Sequence, residues 1–521
     1  MSKVTLTIDS ILGGEQASEF YGQKGQFLSS IAINPDFPKD DSARQASGFL
    51  RPTAMAKFSG STVTGVPLWI IPNPKDTNIY VYANDGKLHS VSSSLSMNSN
   101  PTAPTSASGN GADYYDNYIY LAKNTDVARY GPLDGVPSLT QAFWTSSLSK
   151  TALSNTTYPS LRGIAIPNHP MHRHTDNKLY IGDVTPASAT AGNKGVLHYI
   201  KTKKTSSVEG NADDGSTYSA VSFPYGYYPT AIESYGSDLA VALIEGTNTT
   251  LKQKRAKVSF WDTTSATYNK ITDVEFPDPL ITALKNVNGV LYVWSGNASG
   301  GVRLSRFIGG YSFEEVLYLE DGVPPFQGAV DAEMNRVIWG AYITDPESFA
   351  VVKAYGSKMK ALGTGTFTPF AATSSTTTNQ MVTALKFVEQ ANNSRLRPII
   401  GWSDNSAKGL DSISTTYGVT RIDLAYQRIG RPFIIKKIRI PLAQAVTANM
   451  TLIPTIYVDE GSSSTALTTI NNTNFPNSER NIVLYPDVSG KHNFYLSLRW
   501  SGTALLTVSL PITIELEILN D

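Results

Sequence analysis

The sequence predicts an all-β protein, a roughly seven-bladed β-propeller followed by a C-terminal antiparallel β-sandwich. Three observations support this prediction. A stretch in the middle of the chain has the pattern of four short antiparallel strands, and the pattern of its second strand recurs along the chain. The C-terminal part contains further strand patterns and no helical period.

The clearest four-strand pattern is ITALKNVNGVLYVWSGNASGGVRLSRFIGGYSFEEVLYL in the middle of the chain. Its four runs are Ile281–Lys285, Val290–Trp294, Val302–Ile308 and Glu315–Leu319. The pair Asn288-Gly289 separates the first two runs, and Asn-Gly is a common two-residue turn between antiparallel strands. Because a single sheet of this kind cannot bury both faces, the pattern predicts neighbouring sheets of the same kind.

The second-strand pattern is a turn residue followed by an aromatic-rich apolar run. Its occurrences begin at Asn78, Asn117, Asn177, Ser237, Asn288, Asn335 and, more loosely, Arg397. The intervals are about 40 to 60 residues, and propeller blades span about 40–50 residues when no loop is inserted. Radial packing would bury the faces of these sheets and leave only short edges, which is why a propeller is predicted.

The same patterns divide the chain into three parts. Residues 1–49 are predicted to form an N-terminal arm, residues 50–428 the propeller and residues 429–521 the sandwich. Two strands are candidates for closing the propeller ring: Phe27–Ile33, the best closing strand of the arm, and Thr420–Leu424, the predicted last blade strand. Alternatively, the arm packs on a neighbouring subunit, and a mixture of ring closure and such packing is favoured.

The sandwich prediction depends on alternating apolar and polar residues near the C-terminus. The segment FIIKKIRI alternates from Ile434, and ITIELEIL alternates from Ile512. Such alternation is typical of strands with one buried face. Further strand-like segments are MTLIPTIYVDE, RNIVLYP and FYLSLRW, so a small antiparallel sandwich is expected.

Composition excludes several classes of function. Lys+Arg and Asp+Glu each number 43, so no net charge attracts nucleic acid or an anionic membrane. The absence of cysteine excludes disulfides, thiolate metal sites and a cysteine nucleophile. The start, MSKVTLTIDSILGGEQ, lacks the continuous apolar segment of a signal peptide, and no run approaches the ~20 apolar residues of a membrane span. We therefore expect synthesis in a cytoplasm and no membrane insertion.

The only histidine cluster is NHPMHRHTD, with His169, His172 and His174. Imidazoles at this spacing are possible ligands of a transition metal, with Asp176 as a fourth ligand. The alternative is a polar loop at the rim of a blade, because Pro170 and Arg173 disfavour a preformed metal cage. The loop interpretation is preferred, so no metal or other cofactor is predicted.

Tyrosines in predicted loops are the candidate contact residues. They are Tyr114, Tyr115, Tyr225, Tyr227 and Tyr228. Tyrosine rings stack on sugars and anchor protein contacts. The alternative, which is preferred, is that these rings cap blade ends against neighbouring blades.

No catalytic motif is found. The sequence contains neither a G-x-S-x-G nucleophile elbow nor a phosphate-binding glycine loop. Acidic residues near predicted strand ends are Glu233, Glu245, Asp262, Asp331 and Glu333. Their spacing along the sequence does not identify a catalytic carboxylate pair, because a propeller brings together residues that are distant in sequence.

Both ends of the chain resemble structural proteins of tailed bacteriophages. The C-terminal segments are YQRIGRPFIIKKIRIPLAQAVTANMTLIPTIYVDEGSSSTALTTINNTNFPN and FYLSLRWSGTALLTVSLPITIELE; the N-terminal ones are IDSILGGEQASEFYGQKGQF and SGFLRPTAMAKFSG. The resemblance implies a virion component of the tail or associated with the capsid, made in the host cytoplasm. It carries no catalytic motif, so it transfers no functional residue.

Three functions follow from these observations. The first is a non-enzymatic virion structural protein whose partners are other virion proteins and copies of itself. The second is a virion protein that binds a host receptor or glycan. The third is a propeller glycosidase or lyase that acts on host polysaccharide.

Overall fold

Almost every described segment of the computed structural model is a β-strand. The structure describes residues 2–11, 14–15, 26–31, 33–34, 49–52, 54–57, 63–75, 78–92, 97, 109–123, 126–144, 169–184, 194–201, 220–246, 256–297, 301–310, 312–319, 322–333, 336–343, 349–356, 359–367, 381–390, 393–403, 408–414, 417–476, 480–502, 504 and 506–519. Within these ranges the helices are two short 3-10 turns, Lys270–Thr272 and Gln327–Ala329. No helix in the described ranges is long and apolar enough to span a membrane. The predicted all-β class is confirmed.

The chain forms two compact units. The repeat unit comprises Lys57–Ala350 and Thr373–Ser412, and the terminal unit comprises Met1–Ala56, Val351–Ala372 and Ile413–Asp521. This division differs from the predicted boundary after residue 428, because strands from both ends of the chain belong to one unit.

Seven sheets follow one another in chain order and are named sheet 1 to sheet 7. Sheet 1 contains Pro67–Pro72, Ile79–Ala83 and Leu88–Val91. Sheet 2 contains Gly111–Tyr115, Tyr118–Ala122, Val127–Gly131 and Ser138–Trp144. Sheet 3 contains Met171–Arg173, Lys178–Val184, Lys194–Lys201 and Val221–Tyr225. Sheet 4 contains Tyr227–Tyr235, Asp238–Glu245, Lys257–Trp261 and Asp273–Glu275.

The remaining three sheets are built in the same way. Sheet 5 contains Leu280–Val287, Val290–Gly296, Val302–Gly309 and Ser312–Leu319. Sheet 6 contains Val330–Glu333, Arg336–Ile343, Phe349–Gly356 and Met359–Phe367. Sheet 7 contains Met381–Gln390, Asn393–Ser403 and Lys408–Ser414, with Ala54–Lys57 as its fourth strand.

The first strands of the seven sheets form a closed ring of neighbours. Each first strand contacts the first strand of the next sheet, and the first strand of sheet 7 contacts that of sheet 1. Apolar side chains fill the spaces between sheets. For example, Ile70 and Val81 of sheet 1 belong to one buried cluster with Ala384 and Ile399 of sheet 7.

The terminal unit contains two larger sheets and one small one. The first follows the order Ser2–Ile8, Ile512–Ile518, Phe433–Pro441 and Asn481–Leu484, with Val488–Gly490 also on Phe433–Pro441. The second follows the order Gly14–Glu15, Gln26–Ile31, Tyr417–Leu424, Asn493–Gly502, Met450–Val458 and Ser463–Ala466. Two short strands add to it: Gln427–Arg428 pairs with Asn493–Gly502, and Ile470–Asn471 pairs with Met450–Val458. The small sheet contains Ile33–Asn34, Phe49–Pro52 and Val508–Ser509.

The predicted ring-closing strands lie elsewhere. Gln26–Ile31 pairs antiparallel with Tyr417–Leu424, and the Ser29 hydroxyl donates a hydrogen bond to Asp423, 2.8 Å away. Tyr417–Leu424 pairs on its other edge with Asn493–Gly502. In the described ranges neither Phe27–Ile33 nor Thr420–Leu424 pairs with sheet 7, whose fourth strand is Ala54–Lys57. Strand patterns predict that a segment pairs, whereas its partner depends on tertiary packing.

The predicted alternation near the C-terminus is confirmed with one change of register. Ile512, Ile514 and Leu516 are buried at every second position. In Phe433–Pro441 the pairing register shifts between Ile435 and Lys437. The extra residue of such a β-bulge shifts the period-two alternation by one position, so Phe433 and Ile435 are buried before it and Ile438 and Ile440 after it, whereas the sequence pattern predicted alternation from Ile434.

Candidate functional site

The ring of first strands surrounds a cavity of about 150 Å³, lined in part by charged side chains. Every first strand contributes to the lining. One residue from each, in order of the sheets, is Trp69, Asp113, His172, Glu233, Lys285, Val330 and Lys386. This cavity, named the central cavity, gathers residues that are far apart in the sequence.

Two carboxylates in and beside the central cavity join neighbouring first strands. Asp113 of sheet 2 accepts hydrogen bonds from its neighbour Tyr114 N–H at 2.8 Å and from Arg173 N–H of sheet 3 at 3.0 Å. Asp331 of sheet 6 accepts from Phe387 N–H of sheet 7 at 2.8 Å. Each carboxylate therefore satisfies a backbone donor of the next sheet, which stabilises the contact between the two sheets.

Four charged side chains of alternating sign run around part of the ring and are named the charge row. Glu233 Oε2 lies 3.9 Å from Lys285 Nζ, and Lys285 Nζ lies 3.8 Å from Asp331 Oδ1. Asp331 Oδ1 lies 3.1 Å from Lys386 Nζ. Glu233 raises the pKa of Lys285, burial opposes this shift, and Asp331 adds to it. The lysine therefore stays charged between two carboxylates.

His172 and His174 both face Ser234 of sheet 4. His172 Nε2 accepts a hydrogen bond from Ser234 N–H at 3.1 Å and lies 2.7 Å from the Ser234 hydroxyl oxygen. His174 Nδ1 lies 2.8 Å from the same oxygen. His174 Nε2 lies 3.0 Å from the Ser237 carbonyl oxygen, which can only accept, so this nitrogen carries a proton.

The predicted histidine cluster does not converge on one point. His169 is fully buried, and its Nδ1 lies 3.1 Å from the Gly182 carbonyl oxygen. Asp176 accepts a hydrogen bond from the Tyr180 hydroxyl at 2.7 Å and lies 3.0 Å from Lys178 Nζ. Within the described ranges no group of three His, Cys, Asp or Glu side chains is arranged to hold a metal ion. The four residues instead take part in contacts within the protein.

The five predicted contact tyrosines lie in different environments. Tyr115 and Tyr228 are buried, each 1% exposed, and are unsuited to contact a partner. The Tyr115 hydroxyl donates to the Asn177 carbonyl oxygen of sheet 3, and burial raises the pKa of Tyr228 to about 12. Tyr114 lines the central cavity, and its hydroxyl is 3.2 Å from Asn117 Oδ1.

The other two tyrosines pair with lysines. Tyr225 is 50% exposed, and Lys194 Nζ lies 4.5 Å from its ring centroid. The half-buried Tyr227 ring lies 4.1 Å from Lys257 Nζ and packs on the buried cluster between sheets 3 and 4. Only Tyr225 therefore remains an exposed contact candidate among these five residues.

Sequence reasoning named Glu233 and Asp331 among acidic residues near strand ends but did not identify the two lysines. A signal for them exists in the first-strand repeats PTAIE, ITALK and VTALK. The last letters of these repeats are Glu233, Lys285 and Lys386. Aligning the repeats would have placed these three charges at equivalent positions of adjacent or nearby sheets.

The buried histidines predict loss of stability in mild acid. Burial lowers the pKa of His172 below 6.5, and the nearby carboxylates of Glu233 and Asp113 offset part of this shift. Burial likewise lowers the pKa of His89, whose two ring nitrogens have no hydrogen-bond partner within the described part of the chain. Below pH 6.5 the unfolded chain binds these protons more readily than the folded chain, so the free energy of unfolding should fall as the pH is lowered toward the folded pKa values.

Urea unfolding at a series of pH values from about 7 to about 5 checks this prediction. His89→Leu removes one buried titrating group without removing a hydrogen bond, so it should make the decline shallower. A decline of the same steepness in wild type and variant would show that His89 does not contribute.

Comparisons with known proteins identify no family. No protein-family model matches the chain, and no curated protein matches it. Among solved structures, the computationally designed Ika8 protein is 13% identical, with a TM-score of 0.38, over 68% of this chain and 99% of that protein. U3-55K is 12% identical, with a TM-score of 0.41, over 69% of this chain and 98% of that protein. Sequence identities and TM-scores this low do not support any inference about function.

Proposed function

We propose that sheets 1 to 7 form a seven-bladed β-propeller and that the two larger sheets of the terminal unit form a β-sandwich. Seven consecutive sheets and the closed ring of their first strands support the propeller. Ala54–Lys57, the fourth strand of sheet 7, would then close the ring with a strand from near the N-terminus. Two larger sheets in the terminal unit, with the rings of Phe433 and Phe494 5.4 Å apart across them, support the sandwich.

We further propose that the protein is a non-enzymatic structural component of a bacteriophage virion, in the tail or associated with the capsid. The observation that carries this proposal is that carboxylates at the ring of first strands bind groups of the protein itself. Asp113 and Asp331 are engaged by backbone amides of the next sheet, and Asp331 also by Lys386. Carboxylates used in this way hold the sheets together, as expected of a rigid scaffold. The resemblance of both chain ends to phage structural proteins supports the virion assignment.

The proposed partners are other virion proteins and copies of the same chain. Mass spectrometry of gradient-purified particles of a phage that encodes this protein tests the assignment. We expect the chain in the particles in fixed ratio to known structural proteins. Absence from purified particles, with the protein present in the infected cell, would contradict the proposal.

Self-association is the second readout. Sedimentation velocity of the full-length chain over a range of concentrations should show a closed oligomer, because most soluble assemblies of identical chains are symmetric and closed. A chain that remains monomeric at every concentration would argue against assembly through contacts between copies.

A further inference from the structure

The central cavity contains polar groups that the protein leaves without hydrogen-bond partners. In the described ranges the Glu233 carboxylate has no hydrogen bond and one ion pair, with Lys285 Nζ at 3.9 Å, although the residue is only 7% exposed. The Lys285 side chain, 21% exposed, has two ion pairs in the same ranges, at 3.8 and 3.9 Å. Among the described residues the buried Trp69 indole N–H has no hydrogen-bond partner. Buried polar groups are normally hydrogen-bonded to protein or to ordered water, so Glu233 and the Trp69 N–H are the groups that a ligand of the cavity can satisfy.

The charges around the cavity restrict the chemistry of that occupant. A cation at Glu233 would lie close to Lys285, whereas an anion at Lys285 would lie close to Glu233 and Asp331. A hydroxyl group avoids both conflicts, because it donates to a carboxylate and accepts from an ammonium or an indole N–H. Two adjacent hydroxyl groups can therefore satisfy Glu233 and Lys285 together.

The size and lining of the cavity fit one ring. An apolar cavity of about 150 Å³ in another protein holds benzene, a six-membered ring without substituents. The central cavity has about this volume, so it has room for the ring of one sugar, whose hydroxyl groups would extend in part toward solvent. Trp69 and Tyr114 are among the lining residues, and aromatic side chains can pack against the apolar faces of sugars. The Lys386 side chain, 33% exposed, shows that solvent reaches one side of the lining.

We propose that the central cavity binds one neutral sugar residue through Glu233, Lys285 and Trp69. This binding site goes beyond the proposed structural role, and either one can hold without the other. The sugar can be a free monosaccharide or the terminal residue of a glycan, since both present the same hydroxyl groups to the cavity.

Ligand-observed NMR and calorimetry on the full-length protein test this proposal. The probes are glucose, galactose, mannose and N-acetylglucosamine, with methylammonium and acetate as charged comparisons. We expect millimolar or tighter binding of at least one sugar and none of the two ions. Tighter binding of an oligosaccharide that ends in the same residue would identify a glycan as the source, whereas equal or weaker binding would identify the free sugar.

Two substitutions place the binding in the cavity. Glu233→Gln keeps the shape but removes the charged acceptor, and should weaken binding by about tenfold to a hundredfold. Trp69→Phe keeps an aromatic ring but removes the N–H donor, and should weaken binding several-fold. Asp487→Asn, at an exposed ion pair in the terminal unit, is the matched control and should leave binding unchanged.

Three results would overturn the proposal. They are the absence of binding by every sugar, binding of methylammonium or acetate in place of a sugar, and sugar binding that Glu233→Gln and Trp69→Phe leave unaffected. Thermal melting of each variant shows whether it is folded. Trp69→Phe is the second test if Glu233→Gln fails to fold.

Discussion

Replacing Asp331 with alanine should lower the free energy of unfolding of the repeat unit by about 1–3 kcal/mol, because it leaves the Phe387 N–H without its acceptor and removes the carboxylate from ion pairs with two partly exposed lysines. Asp331 is 5% exposed and accepts hydrogen bonds from Lys386 Nζ at 3.1 Å and Phe387 N–H at 2.8 Å. It also lies 3.8 Å from Lys285 Nζ. Without this carboxylate, the positive charges of Lys285 and Lys386 lose a neighbouring negative charge, and the Phe387 N–H loses its hydrogen-bond acceptor.

Urea unfolding followed by tryptophan fluorescence measures this effect. Among seven tryptophans, only Trp500 lies in the terminal unit, so the signal reports mainly on the repeat unit. Asp331→Asn keeps an oxygen for Phe387 N–H and should cost less than Asp331→Ala. Asp487→Ala removes a partner of an exposed lysine and should change stability little. Equal effects of Asp331→Ala and Asp487→Ala would show that the charge row does not stabilise the ring.

Replacing Trp294 with alanine should also destabilise the repeat unit by about 3–5 kcal/mol, as is usual for a buried tryptophan. Trp294 is fully buried on the second strand of sheet 5, and its ring centroid lies 5.9 Å from that of Trp339 in sheet 6. The substitution creates a cavity between two sheets that are packed against each other. The same unfolding measurement reports it, because five tryptophans remain in the repeat unit.

Trp294→Phe is the matched control for this prediction. Among the residues that the structure describes, the indole N–H of Trp294 has no hydrogen-bond partner, so phenylalanine removes volume without breaking a hydrogen bond. We expect a loss smaller than half of that caused by alanine. A loss as large as that of alanine would contradict this explanation and indicate that the indole N–H has a partner in solution.

The candidate site was only partly predictable from the sequence. His172 was found because histidines are rare in this chain, and Glu233 and Asp331 were found because they lie near strand ends. Their roles were not predictable, because the partners Ser234, Lys285 and Lys386 belong to other sheets. The tyrosines show the same limit, since Tyr225 and Tyr228 are close in sequence but are 50% and 1% exposed.

The sequence by itself determined the all-β class, most strand positions and their buried faces, because turn residues and period-two alternation act within a few residues. Tertiary structure alone decided the pairing of strands from the two chain ends and the gathering of Asp113, Glu233, Lys285 and Lys386 around one cavity. The physical reason is distance along the chain. Local pattern dictates which face of a strand is apolar, whereas the choice of partner depends on how well whole sheets pack, and that is a property of the complete fold.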